Sequence, residues 1–200
     1  MNRLLEDINS ELEEKNIPPR SRQSQEWFKE KVKELEQHPV NRNQLTRELK
    51  NMNPVRTPHV GRMYIFYYLP KTGKQLPYYD LFPNIFMTDI NSEYFQGINL
   101  HYLPLNIRED FFNRLLERVN KQLYDKTTFL RITYDYLMSF RKYRAFKSCW
   151  KRYNIKQVRG NIINVPSSEW ENVMYLPTAM FRKKPEQIVH IESRKRYRNS

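Results

Sequence analysis

The sequence predicts an α+β fold: a small antiparallel β-sheet or partly closed SH3-like barrel, flanked by helices and preceded by an N-terminal helical arm. Three observations carry that reading. Residues 61–104 are dense in aromatics, turn residues and alternating apolar positions, as half-buried strands are. The segments on either side instead space their apolar residues three and four apart, the period of a helix. The chain has 200 residues, with fourteen tyrosines and eleven phenylalanines against four glycines, so it can build one core on amphipathic aromatic faces.

From the N-terminus, Leu4, Leu5, Ile8 and Leu12 share one face of a helix over residues 2–15, which Pro18-Pro19 ends. A second helix is expected over 25–37, with Ser24 as its N-cap and Trp27, Phe28, Val32 and Leu35 as its apolar stripe. His38-Pro39 closes it, and a short helix follows over 44–49. Residues 51–60, with Pro54 and Pro58, read as a linker. The expected division is therefore 1–56, arm and linker, and 57–200, an α+β core with a basic C-terminal half. The stripe on the arm must be buried on its own domain or on another subunit, and its balanced charge and proline breaks point to the subunit.

Met63-Tyr64-Ile65-Phe66-Tyr67-Tyr68 has strand composition, and Pro70 to Lys74 supplies turn chemistry that makes residues 75–79 the second arm of a hairpin. Residues 84–88 form a third apolar run, and Gly97 to Leu103 alternates as a strand that Pro104 stops. Asn106-Ile107-Arg108-Glu109 has the form of a capping box for a helix over 107–124. Helices are expected over 129–140 and 143–153, running into one another, then a β segment over 157–165 and a brief helix from Ser168. Pro185 sits at the first turn of a last helix that frays into Arg194-Lys195-Arg196-Tyr197-Arg198.

The central tract resembles a family of virion proteins from large bacteriophages with contractile tails, some of them described as DNA end protectors. The matching residues are Gly61, Met63-Tyr64, Phe66, Tyr68, Pro70-Lys71-Thr72, Leu76-Pro77-Tyr78-Tyr79-Asp80, Phe82-Pro83, Gly97 and Asn99-Leu100-His101-Tyr102-Leu103-Pro104. Weaker matches flank it at Ile17 to Ser21 with Trp27-Phe28, and at Pro166 to Trp170 with Leu176-Pro177. The resemblance implies a phage virion protein and brings no catalytic motif with it.

Charge divides the chain sharply. Residues 1–60 carry eleven basic and ten acidic side chains, 61–104 three of each, and 105–200 twenty-one basic against nine acidic, so nearly all of the net +13 lies in the C-terminal half. Such asymmetry calls for a polyanionic partner, either nucleic acid or the acidic surface of other virion proteins. No acid interrupts residues 136–168, where Arg141, Lys142, Arg144, Lys147, Lys151, Arg152, Lys156 and Arg159 all fall. On the expected helix Phe140, Tyr143, Phe146, Trp150 and Tyr153 share the buried face and the cations the other, free for phosphates. Arg194, Lys195, Arg196 and Arg198 form a basic tail that reads equally as a grip on DNA backbone, a solvated end or an insertion into a neighbouring subunit, and Arg182-Lys183-Lys184 extends the basic surface with the same three readings.

Other chemistry is poorly supported. A mean hydropathy of −0.86 and the absence of a long apolar run exclude a membrane span, and residues 1–7 lack a signal-peptide core. The single cysteine, Cys149, excludes an internal disulfide and a cysteine-rich zinc site, and it reads as a small buried hydrophobe rather than a nucleophile. His38, His59, His101 and His190 show no metal-ligand spacing and read as structural. Asp80, Asp89, Glu93, Glu109 and Asp110 are the candidates for nuclease carboxylates, but no Glu-x-Lys follows a strand carboxylate; Asp80 reads better as a turn acceptor. There is no phosphate loop, dinucleotide fingerprint or nucleophile elbow. The sequence thus points to a non-enzymatic protein without cofactor or metal, made in the host bacterial cytoplasm and carried in the virion. Its expected role is to bind double-stranded DNA at the genome end in the head or neck. The alternative is a neck, tail or baseplate component docked on other virion proteins without DNA-end binding.

Overall fold

The computed structural model describes residues 3–37, 40–52, 57–119 and 126–198, with the side chains of 119, 126, 145 and 196–198 set aside. Three helices open the chain: α1 (Leu4–Glu14), α2 (Arg22–Gln37) and α3 (Arg42–Met52). The cap of α2 is Ser21, whose hydroxyl accepts the Ser24 N–H at 3.0 Å. Ser24, the expected cap, is buried within the first turn and donates to Glu171 instead. For α3 the Asn41 side chain accepts the Gln44 N–H at 3.1 Å. His38-Pro39 and residues 53–56 of the expected linker lie outside the described residues.

Next come β1 (Met63–Tyr68), β2 (Tyr79–Asp80), β3 (Asn84–Ile90), β4 (Tyr94–Asn99), α4 (Leu105–Val119), α5 (Lys126–Ser139), α6 (Arg144–Lys147), β5 (Trp150–Asn154), β6 (Val158–Val165), α7 (Trp170–Tyr175), β7 (Phe181–Arg182) and α8 (Glu186–Arg198). The main sheet is antiparallel in the order β5-β4-β3-β1-β6, and β2 pairs with β7 in a separate ribbon. The hairpin expected within 63–79 is therefore corrected: β1 pairs with β3 and β6, and the loop after β1 carries β2 away to β7.

β5 and β6 are opposite edges of that sheet, yet only Ile155–Gln157, a single 3-10 turn, joins them. The step from Asn154 to Val158 spans at most about 14 Å, whereas five flat strands would separate the edges by about 19 Å. The sheet must therefore curl. Contacts at that end show it: Leu69 N–H donates to the Gln157 carbonyl at 3.1 Å, and Asn154 N–H to the Tyr68 hydroxyl at 3.3 Å. The result is a partly closed barrel, in which β5 and β6 approach without sharing a ladder.

Curling gives the sheet two buried faces. Tyr64, Phe66, Ile85, Met87, Phe95 and Tyr153 fill the inside, while Met63, Ile65, Phe86 and Ile98 face the helices. This explains why β1 and β3 read as continuous apolar runs. Gly97 is required where β4 crosses β3, because a Cβ there would stand 2.5 Å from the Phe86 carbonyl oxygen.

The outer core takes in Leu5, Ile8, Leu12, Phe28, Val32, Leu45 and Leu49 along with the sheet residues. Phe28 stacks on Tyr175 of α7 with ring centroids 4.7 Å apart. The expectation that the stripe of α2 is buried on another subunit is thus corrected: it packs within the chain, with Trp27 and Leu35 at its margin.

Three further expectations change. β4 stops at Asn99, whose side chain accepts the His101 N–H and turns Leu100–Tyr102 into a 3-10 helix rather than more strand. α4 begins at Leu105 with the Pro104 carbonyl accepting from Ile107 and Arg108, so the 106–109 capping box does not form; residues 120–124 lie outside the described set. The helix over 143–153 is only α6, and β5 replaces its second half. Trp150 to Asn154 pair across Ile98 to Tyr94 of β4, and that ladder overrides the local helical spacing.

Candidate nucleic-acid interface

The residues that carry the family resemblance are mostly buried, and three of them form one polar network. Asp80 accepts the Phe82 N–H and the Met180 N–H on one oxygen, at 3.0 and 3.2 Å. Its other oxygen takes the Asn99 amide at 3.1 Å and His101 Nδ1 at 2.7 Å. The carboxylate partner places the proton on Nδ1, and in the neutral ring Nε2 accepts from the Thr178 hydroxyl at 3.1 Å. Burial pushes the Asp80 carboxyl up, but His101, Asn99 and the Phe82 N–H outweigh it and hold the group below the usual carboxylate range. A hydroxyl, an imidazole and a carboxylate in series suggest a hydrolytic triad. Thr178 and His101 are fully buried, however, so the hydroxyl meets no solvent. Here the set clamps β2, the end of β4 and the segment before β7 together.

The remaining carboxylates do not converge. Asp89 faces Gln96, Asp110 pairs with Arg114, and Glu109 accepts from Tyr175 and meets Lys29. Among the described residues no group of three or more His, Cys, Asp or Glu is placed to hold a metal ion, and no helix is long and apolar enough to cross a membrane. Cys149 is sealed in the core, where burial pushes its thiol up to about 11.

The basic residues behave differently. Arg141, Lys142, Arg144 and Lys147 are exposed on the 3-10 turn Phe140–Lys142 and on α6. α6 packs beside α8, on which Arg194 and Lys195 are exposed. The side chains of Arg196 and Arg198 lie outside the described residues. Arg152, on the β5 edge, lies over the Tyr94 ring at 4.5 Å, and the half-buried Lys151 stands over Tyr102 at 3.8 Å. Lys156, on the 3-10 turn that follows β5, and Arg159, near the start of β6, are exposed beyond the far end of β5, a strand roughly 15 Å long. The structure therefore gathers 141–147 with α8 and sets 156–159 apart. Among the described residues no carboxylate lies within salt-bridge distance of Arg141, Lys142, Arg144, Lys147, Arg152, Lys156 or Arg159.

Sequence reasoning misassigned Tyr143. Its spacing from Phe140 and Phe146 suggested a core position, but it is 51% exposed, and no other aromatic side chain among the described residues is as open. The available signal was its immediate neighbours, Lys142 and Arg144.

This architecture, a clamped β core with exposed cations that meet no carboxylate among the described residues, suits a protein that binds a polyanion. The chain matches the family described as Phage T4 terminal DNA protecting protein over residues 1–197, and it belongs to that family. Its general role is accordingly protection of phage DNA ends. No curated protein and no solved structure matches the chain.

Proposed function

We propose that this protein binds the double-stranded ends of the phage genome, in the head or neck of the virion, through the surface formed by residues 141–147, α8 and the β5 edge. The observation that carries the reading is the set of exposed cations on 141–147, which meet no carboxylate partner among the described residues and so keep their charge for phosphates. Protection is steric: a protein clamped over the terminus denies an exonuclease its entry point. Lys156 and Arg159 serve as a second, outlying phosphate contact. A docking role on acidic surfaces of other virion proteins is the second reading, and the exposed Ile188 and Ile191 on α8 favour it.

The test is a mobility shift on a blunt linear duplex and a closed circle of the same sequence at several salt concentrations. The wild type should prefer the linear form. The triple variant Arg141→Glu, Arg144→Glu, Lys147→Glu should bind far more weakly, and its residual binding at low salt should show a slope of log K against log salt shallower by about 3. Unchanged binding by a folded triple variant removes this surface from the site. Absence of any DNA binding by the wild type returns the second reading.

A further inference from the structure

Phosphate contacts hold DNA anywhere along its length, so they do not explain preference for an end. What a blunt end alone offers is the flat, apolar face of its terminal base pair. We propose that Tyr143 stacks on that face and is the residue that distinguishes an end from duplex interior, an assignment that rests on the DNA-end reading above.

Four observations support the placement. Tyr143 is 51% exposed in a chain whose other described aromatics are buried or half-buried. It lies at the junction of the 3-10 turn Phe140–Lys142 and α6, with exposed Arg141, Lys142, Arg144 and Lys147 within four residues on either side. A ring set among cations this dense meets the end of a duplex while its neighbours reach the flanking phosphates. The position is also held rigidly: Tyr143 N–H donates to the Phe140 carbonyl and its own carbonyl accepts from Phe146, each at 3.0 Å. Behind it, Phe140 packs on Tyr143 at 5.8 Å and on Phe146 at 4.5 Å, and Phe146 packs on Phe111 of the core at 5.7 Å. The ring is therefore preorganised on a column of aromatics rather than on a loose loop, which lowers the entropy cost of stacking. Lys142 Nζ stands over the ring, 5.4 Å from its centroid, so the π face already attracts positive charge at this spot.

The experiment compares wild type, Tyr143→Ala and Tyr143→Phe on a short blunt duplex and on the same duplex closed at both ends by hairpin loops. The readout is the ratio of the two affinities. Wild type and Tyr143→Phe should favour the open duplex to the same degree, because stacking needs the ring and not the hydroxyl. Tyr143→Ala should lower the ratio roughly tenfold through the open duplex alone, leaving the closed one within about twofold. Near-ultraviolet dichroism confirms the fold of each variant. A preserved ratio in Tyr143→Ala overturns the assignment while leaving end binding intact. An equal loss on both substrates also overturns it, since Tyr143 would then serve general adhesion. Failure of the wild type to bind either DNA defeats the underlying reading and this inference with it.

Discussion

The N-terminal helices and the 141–159 segment are both rich in lysine and arginine, yet they use their charge in opposite ways. In the first, Arg3 pairs with Glu6, Arg22 with Glu26, Lys29 with Glu109, and Lys31 with Glu11 and Glu34. Arg42 is likewise engaged, donating to the Thr178 and Ala179 carbonyls at 2.8 and 2.9 Å. In the second, Arg141, Lys142, Arg144, Lys147, Arg152, Lys156 and Arg159 are exposed with no carboxylate among the described residues within salt-bridge distance, while Lys151 is half-buried over Tyr102. The difference teaches that balanced sequence charge is spent on internal fit, whereas a run without acids leaves a surface that something else must neutralise.

The largest effect should come from deleting residues 1–56. The division into 1–56 and 57–200 is a proposal about chain organisation, and the packing of Leu5, Ile8, Phe28, Leu45 and Leu49 into the common core leads us to expect that 57–200 loses fixed tertiary packing by itself. Near-ultraviolet dichroism reads this directly. A truncated protein with a native-like spectrum and a cooperative melt would break the comparison, since the first region would then be an appendage. Within the full chain, Phe28→Ala should cost about 3–5 kcal/mol in denaturant unfolding, because it empties a site stacked on Tyr175.

Asp80→Asn should cost about 3 kcal/mol or more, as one partner is removed from a buried, charge-assisted network. Its pH signature sharpens the assignment. The folded carboxyl sits below its unfolded value, so its contribution is present above about pH 4 and is lost as pH falls through the depressed folded pKa. The wild type should therefore lose part of its stability in that acid window, and Asp80→Asn should show a flatter profile there. Equal slopes would exclude Asp80 as the source.

The smallest effects separate the two charge regimes. Lys31→Ala removes a partly buried cation bridging two acids and should cost about 0.5–1 kcal/mol. Replacing Arg141, Arg144 and Lys147 by glutamine should leave thermal stability within about 0.5 kcal/mol, since no ion pair among the described residues is lost. If the glutamine variant is destabilised as much as Lys31→Ala, those cations hold the fold and the contrast between the regions fails.

Much was legible before any coordinates. Helical period with a proline stop marks α1, β-branched and aromatic composition marks β1, and Pro185 marks the start of α8, because each depends on neighbours a few residues away. The acid-free window was equally visible, since charge is additive along a chain. Tertiary structure decided the rest. Residues 150–154 became a strand because β4 offered a ladder from Tyr94 to Ile98, although their aromatic spacing is helical. That switch turned Trp150 and Tyr153 toward the sheet and left Tyr143 outside. Three-residue closure between β5 and β6 and the meeting of Asp80, His101 and Thr178 are likewise contacts between positions far apart in sequence. Local propensity carries no record of them, because their energy arises only when distant segments share one desolvated space.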